Sequence, residues 1–109
     1  MNPLSIRATI DILRSIDTST FTGSYQALGT PVSNSIRIMK FVNNSNQDAT
    51  ISIDGVNDHE ILPQGSYFVI DFSANRETGN AWEFPANTQF YVKGTAGTGS
   101  VYLSIYYAN

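Results

Sequence analysis

The chain has 109 residues, enough for one domain with a single hydrophobic core. Hydrophobic residues make up 41% of it, but charged residues only 14%, against roughly 25% in an average soluble domain. The net charge of −3, with six scattered Lys and Arg residues, argues against a nucleic-acid-binding surface, and the lack of cysteine excludes disulfides and thiolate metal sites.

The N-terminal segment has the two-residue alternation of a half-buried β-strand. Apolar residues from Leu4 to Ile12 share one face, and polar residues share the other. Residues 15–23, rich in Ser and Thr, predict a loop, and residues 25–28 predict a short strand. No basic segment followed by an apolar stretch opens the chain, so we expect neither a signal peptide nor a membrane span.

The middle of the chain predicts strands separated by turn signals. Residues 36–42 are apolar on both faces, which predicts a central strand, and the polar cluster 43–46 predicts a turn. Residues 49–54 alternate again, and Asp54-Gly55 predicts a tight hairpin turn with a returning strand over residues 56–62.

The remaining chain predicts three further strands. Residues 67–72 and 88–93 form two of them, with a polar loop at 73–80 between them. The last strand, residues 101–107, follows a glycine-rich segment, residues 94–100, that we interpret as a hairpin connection and a candidate contact loop. In the last strand, one face is expected to point inward, namely that of Val101, Leu103, Ile105 and Tyr107.

About eight short strands joined by Gly, Pro and Asn turns indicate an all-β fold. We predict one domain over residues 1–109, an antiparallel β-sandwich with a jelly-roll-like arrangement. No amphipathic helix pattern is present in the sequence.

Two segments resemble sites of known chemistry. Residues 54–60 gather carboxylates around His59, the only histidine, but the spacing differs from that of calcium loops and favours a hairpin tip over a metal site. The glycine-rich segment 94–100 lacks the lysine and the following helix of a phosphate-binding loop. No nucleophile elbow and no suitably spaced carboxylate pair occur, so we predict no enzyme activity and no cofactor.

Aromatic residues are concentrated toward the C-terminus, where Tyr91, Tyr102 and Tyr106 are candidates for exposure. Tyrosine suits protein interfaces because it offers a large rigid area with a polar tip. Carbohydrate stacking is the alternative, which requires convergent Asn, Asp or Arg side chains. The tyrosine pattern favours protein contact.

Several segments, from about Thr22 to Tyr107, resemble small β-sandwich virion proteins of tailed bacteriophages. The resemblance is carried by Asn-Asn-Ser-Asn at 43–46 with Ile-Ser-Ile-Asp-Gly at 51–55, by Leu-Pro-Gln-Gly-Ser-Tyr-Phe-Val-Ile-Asp-Phe at 62–72, by Pro-Ala-Asn-Thr-Gln-Phe-Tyr-Val-Lys at 85–93, and by Gly-Thr-Gly-Ser-Val-Tyr-Leu-Ser at 97–104. It implies a non-enzymatic capsid-decoration or head–tail component, made in the host cytoplasm and located in the virion. The implied partners are capsid, portal or tail subunits and further copies of the chain, without nucleic acid or membrane.

The N-terminal strand precedes this region of resemblance. We expect residues 1–20 to contact a neighbouring subunit, with the strand paired to that subunit's edge or lying as an edge strand that contacts it. The predicted interface residues are Leu4, Ile6, Ile10, Tyr91, Tyr102 and Tyr106. A receptor- or glycan-binding module on a virion or cell surface is the alternative function.

Overall fold

A computed structural model of the chain describes residues 8–71, 76–77, 80–81 and 84–108, and β-strands dominate it. Residues Thr18–Thr20 form a short 3-10 helix. The strands are β1 (Ala8–Ile10), β2 (Arg14–Asp17), β3 (Gln26–Ala27), β4 (Ile36–Ser45), β5 (Ala49–Ser52), β6 (Glu60–Leu62), β7 (Tyr67–Asp71), β8 (Arg76–Glu77), β9 (Asn80–Ala81), β10 (Tyr91–Gly94) and β11 (Gly99–Ala108).

The strands form two antiparallel sheets. The five-stranded sheet has the order β1-β11-β4-β7, with β2 also paired to β11, and the four-stranded sheet has the order β3-β10-β5-β6. Because β1 and β2 pair with successive parts of β11, they act as one interrupted strand. The two sheets then contain eight strands that mostly alternate between them, which is a jelly-roll connection. The predicted β-sandwich is confirmed, and β8 and β9 form a separate ribbon.

Apolar side chains from both sheets meet in one core. The predicted inward residues Val101, Leu103 and Ile105 are all buried. Phe41 of β4 lies at its centre, with its ring centroid 5.1 Å from that of Phe68 and 5.6 Å from that of Phe90. Aromatic pairs at such distances contribute beyond the area that they bury.

A β-bulge changes the predicted alternation at the far end of β4. Tyr106 pairs with Ile38 but Tyr107 pairs with Ile36, so Arg37 is an extra residue on β4. Ile36 and Met39 are therefore both buried. Tyr107 pairs with the buried Ile36 and so lies on the inward face as predicted, although it is only half-buried there. The central position predicted for this strand is confirmed, because β4 lies between β11 and β7.

Several local predictions were wrong. The predicted loop at 15–23 contains most of β2 and the 3-10 helix, and the predicted loop at 73–80 contains β8 and part of β9. Asp54-Gly55 is not a two-residue turn, because β6 begins only at Glu60. The glycine-rich segment is not a hairpin connection, since it leads from β10 in one sheet to β11 in the other.

Asn43 is a polar residue in the core, although the sequence predicted a turn there. Its side chain is fully buried; Nδ2 donates to the carbonyls of Gln47 (2.8 Å) and Leu62 (2.9 Å), and Oδ1 accepts from the Ser45 hydroxyl (2.6 Å). Asn43 thus links the end of β4 to the turn that follows it and to β6. Such buried polar groups stabilise a fold only when their partners are in place.

Replacing Asn43 by alanine tests this link. We expect Asn43→Ala to lower the free energy of unfolding by about 2–4 kcal/mol, because it removes three hydrogen bonds inside the core. Urea denaturation measures the change. The control is Asn44→Ala, at the exposed neighbour, which should change stability by less than about 0.5 kcal/mol. Equal effects of the two changes would contradict the assigned role.

Candidate interaction surface

The structure brings three of the six predicted interface residues onto one surface. Ile10 is directly opposite Tyr106 in the register of β1 and β11, and Tyr102 lies further along β11 on the same face. Val101, Leu103 and Ile105 of β11 point into the core. Because side chains alternate along a strand, Tyr102 and Tyr106 point outward, and Ile10 points outward with its partner Tyr106. Leu4 and Ile6 lie outside the described residues.

The outer face of the five-stranded sheet continues this apolar surface across β4 and β7. Cross-strand partners share a face, so the register places Ile38 beside Tyr106, Val42 beside Tyr102, and Tyr67 beside Val42. We call this set the tyrosine face; it comprises Ile10, Ile38, Lys40, Val42, Tyr67, Val69, Asp71, Tyr102, Ser104 and Tyr106. With strands about 4.8 Å apart and a rise of about 3.3 Å per residue, it covers on the order of 500 Å², the size of an interaction patch.

Lys40 and Asp71 are the charged residues of the tyrosine face, and Asp71 lies at its edge as the partner of Ile38. Lys40 Nζ lies 5.9 Å from the centroid of the Tyr67 ring, which attracts the cation. Tyr67 and Val69 are nevertheless 68% and 50% exposed. A face with two charged residues among ten, one of them at its edge, loses little solvation when a second surface covers its apolar centre.

Tyr91 lies on the outer face of the opposite, four-stranded sheet. A segment that we call the 53–59 loop folds over this face, since a Cβ at Gly55 would lie 3.4 Å from the Tyr91 ring. Gly55 has a φ of +75°, which glycine adopts without strain. Tyr91 is thus partly covered by its own chain, and the structure does not bring it together with Tyr102 and Tyr106.

Asp54 organises the 53–59 loop. Its Oδ1 accepts hydrogen bonds from the backbone N–H groups of Val56 and Asn57, both at 2.8 Å, and from the Ser52 hydroxyl at the same distance. The backbone N–H of Asn57, followed by that of Val56, holds the pKa of Asp54 well below its usual value. The Asp54 carboxylate therefore accepts its hydrogen bonds from groups in and next to its own loop.

Asp58 attaches the loop to the sheet. It accepts a hydrogen bond from the Tyr25 hydroxyl, and Lys93 Nζ lies 3.1 Å from its Oδ1 and 4.6 Å from the Tyr25 ring centroid. These contacts lower the pKa of Asp58, with the Tyr25 bond as the largest cause, while burial and the bond to Asp58 raise the pKa of Tyr25. The sequence suggested carboxylates here, but nothing local indicated that Tyr25 and Lys93 would meet them.

His59 has a structural contact. Its Nδ1 accepts the backbone N–H of Ile53 at 3.1 Å, which closes the base of the 53–59 loop. Among the residues that the structure describes, no three His, Asp or Glu side chains gather as they would around a metal ion. Nor does any helix in that part of the chain have the length and apolarity of a membrane span.

A comparison with protein-family models gives no match, and no curated protein is significantly similar to the chain. Similarity therefore assigns no family. The functional argument rests on the surfaces described above.

The lowered pKa of Asp54 predicts an acid-sensitive loop. A carboxylate whose folded pKa lies below its unfolded value of 3.8 stabilises the fold above that pH, and this contribution is lost as the pH falls further. We expect the melting temperature of the wild type to fall between pH 6 and about pH 2. Asp54→Ala should be less stable at pH 6 and should depend less on pH, as measured by differential scanning fluorimetry.

The matched control is Val56→Ala, which changes an exposed side chain of the same loop and keeps the carboxylate. Its melting temperature should follow pH as that of the wild type does. An Asp54→Ala profile parallel to the wild-type profile would show that this carboxylate does not stabilise the fold.

Proposed function

We propose that this chain is a non-enzymatic structural protein of a virion, which decorates or stabilises the capsid or joins head to tail through contacts with capsid, portal or tail subunits. The observation that carries the proposal is the tyrosine face, where Tyr102, Tyr106 and Ile10 lie together on the outer face of the five-stranded sheet. The fold is a rigid support for this face.

The physical chemistry of the tyrosine face supports a protein partner. Tyr102 and Tyr106 are half-buried by their neighbours, so they lose little conformational freedom on contact, and each keeps a hydroxyl that can hydrogen-bond at an interface. Interface cores are typically depleted of charge and enriched in tyrosine. The chain as a whole has the same character, with 14% charged residues.

Two further considerations support a virion as the assembly. Jelly rolls recur in viral capsid proteins, which is an analogy at the level of the fold. The turn and strand segments at 43–55, 62–72, 85–93 and 97–104 resemble those of small virion proteins of tailed bacteriophages.

A glycan-binding module is the second candidate, favoured by the polar groups around Tyr25 and Tyr91. Asp54, Asn57 and Asp58 lie close to these rings, as carbohydrate recognition requires. Their hydrogen-bonding groups are largely engaged with each other, with the backbone and with Lys93. A sugar would have to compete with these contacts, so we rank this function second.

Add-back to virus particles that lack the chain tests the proposal. Purified wild-type protein should be incorporated in a fixed number of copies per particle, measured by quantitative mass spectrometry. The double variant Tyr102→Glu/Tyr106→Glu places charges at the centre of the tyrosine face and should reduce incorporation at least about tenfold. The control Ala27→Glu adds a charge at an exposed position of the other sheet and should be incorporated like the wild type.

Absence of the wild-type protein from particles would overturn the proposal. Equal incorporation of the double variant would refute the role of the tyrosine face. Specific saccharide binding by the dispersed protein on a glycan array, abolished by Asp58→Ala, would instead favour the second candidate.

A further inference from the structure

We propose that copies of this chain bind each other head to tail, with Ile12 of one copy inserted into an apolar cleft between β6 and β7 of the next. This inference deepens the proposed function, because it names a second copy of the chain as one partner. It rests on two features at opposite edges of the five-stranded sheet.

The first feature is a protruding apolar loop at one edge. Residues 11–13, which we call the edge loop, separate β1 from β2 where the two strands pair along β11. Ile12 and Leu13 are 80% and 56% exposed. Ile12 has the highest exposure among the large apolar side chains of the described residues. Its side chain therefore offers a large apolar area for contact with another surface.

The edge loop is held in one conformation by a buried arginine. Arg14 Nε donates to the Thr30 carbonyl at 2.7 Å, and its NH1 donates to the Ile12 carbonyl at 3.1 Å and to Asp11 at 3.2 Å. A Cβ at Gly29 would lie 2.6 Å from Arg14 Cγ. Any larger residue at position 29 would therefore clash with the Arg14 side chain. A loop that is already ordered loses little entropy when it binds.

The second feature is a cleft of about 150 Å³ at the other side of the sandwich. Its inner wall includes Phe41, Ile51 and Phe90 from the core, and Phe68 and Ile70 of β7 form one side. Phe68 and Ile70 pack against the core but are only partly buried. Ile53, which also lines the cleft, is 42% exposed, and the two polar lining residues are His59 and Glu60.

Ile12 and the cleft match in size and chemistry. Eight of the ten residues that line the cleft are apolar. A cavity of about 150 Å³ accommodates a benzene-sized group, and the branched side chain of isoleucine is of that size. Next to the cleft, a groove lined by Ile61, Pro63 and Tyr67 offers apolar surface to the residues around Ile12. Ile61 is 65% exposed there.

The positions of the two features require different molecules. β11 and β4 lie between the edge loop and β7, so Ile12 cannot enter the cleft of its own chain. A protruding apolar group and a complementary pocket at different places on one chain form a heterologous contact, which closes into a ring or extends as a filament. Each copy then uses one edge as donor and the other as acceptor.

Mixing two complementary variants tests this arrangement by sedimentation velocity. Wild-type protein should form oligomers at high concentration. Ile12→Asp removes the donor and Ile53→Asp charges the mouth of the cleft, so each variant alone should self-associate at least about tenfold more weakly. An equimolar mixture should form heterodimers only, because one intact donor and one intact cleft remain. The control Val56→Asp, which removes an exposed apolar side chain outside both features, should oligomerise like the wild type.

Cysteine cross-linking covers the case in which Ile53→Asp impairs folding. The chain contains no cysteine, so under mild oxidation the variant Ile12→Cys/Ile53→Cys should give a ladder of disulfide-linked multimers. Ile12→Cys/Val56→Cys should not give that ladder.

A monomeric wild type at all concentrations, a mixture of folded variants without heterodimers, or no ladder would each overturn the head-to-tail contact. Incorporation of the protein into particles would be unaffected by such a result, so failure here is distinguishable from failure of the proposed function.

Discussion

The antiparallel pairing of β11 with β4 is the constraint on which the rest of the structure depends. Eight consecutive residue pairs, from Gly99 with Ser45 to Tyr106 with Ile38, decide which side chains of both strands enter the core and which remain outside. Because Val101, Leu103 and Ile105 face inward, Tyr102 and Tyr106 must face outward. The tyrosine face thus follows from the same pairing that builds the core, and a shift by one residue would exchange the two sets.

The two outer faces of the sandwich differ in whether a loop of the chain covers them. The four-stranded sheet is covered over Tyr91 by the 53–59 loop, which Asp54 shapes from within and Asp58 attaches to Tyr25 and Lys93. The outer face of the five-stranded sheet keeps Tyr67, Val69 and Ile10 exposed. Exposed apolar area on a sheet favours aggregation unless a partner covers it, which agrees with a protein that works within an assembly.

Much of this architecture could be predicted from two-residue periodicity, because the burial of one face imposes that period on the sequence. The inward residues of β11 and the central position of β4 were predicted in this way. The bulge at Arg37 could not be predicted, since both faces of β4 are apolar and either alternation fits. β2 was missed because its partner β11 lies at the other end of the chain, so no local turn signals the pairing.

The positions of the predicted interface residues followed less directly from the sequence than the fold did. Tyr102, Tyr106 and Ile10 meet because of long-range register, which periodicity alone does not provide, while Tyr91 lies on the other sheet. The burial of Arg14 gave no signal at all, since a charged residue is normally exposed, and the Thr30 and Pro31 carbonyls that accept from it are distant in sequence.

The position of the last strand has a consequence for biosynthesis. β11 is the last strand in chain order, yet it lies inside the five-stranded sheet, with β1 and β2 on one side and β4 on the other. Until β11 has left the ribosome, β4 lacks one neighbour, and β1 and β2 lack the strand with which they pair. The five-stranded sheet can therefore form only after every other strand has been made, and the nascent chain has to keep its unpaired strands away from other chains until then.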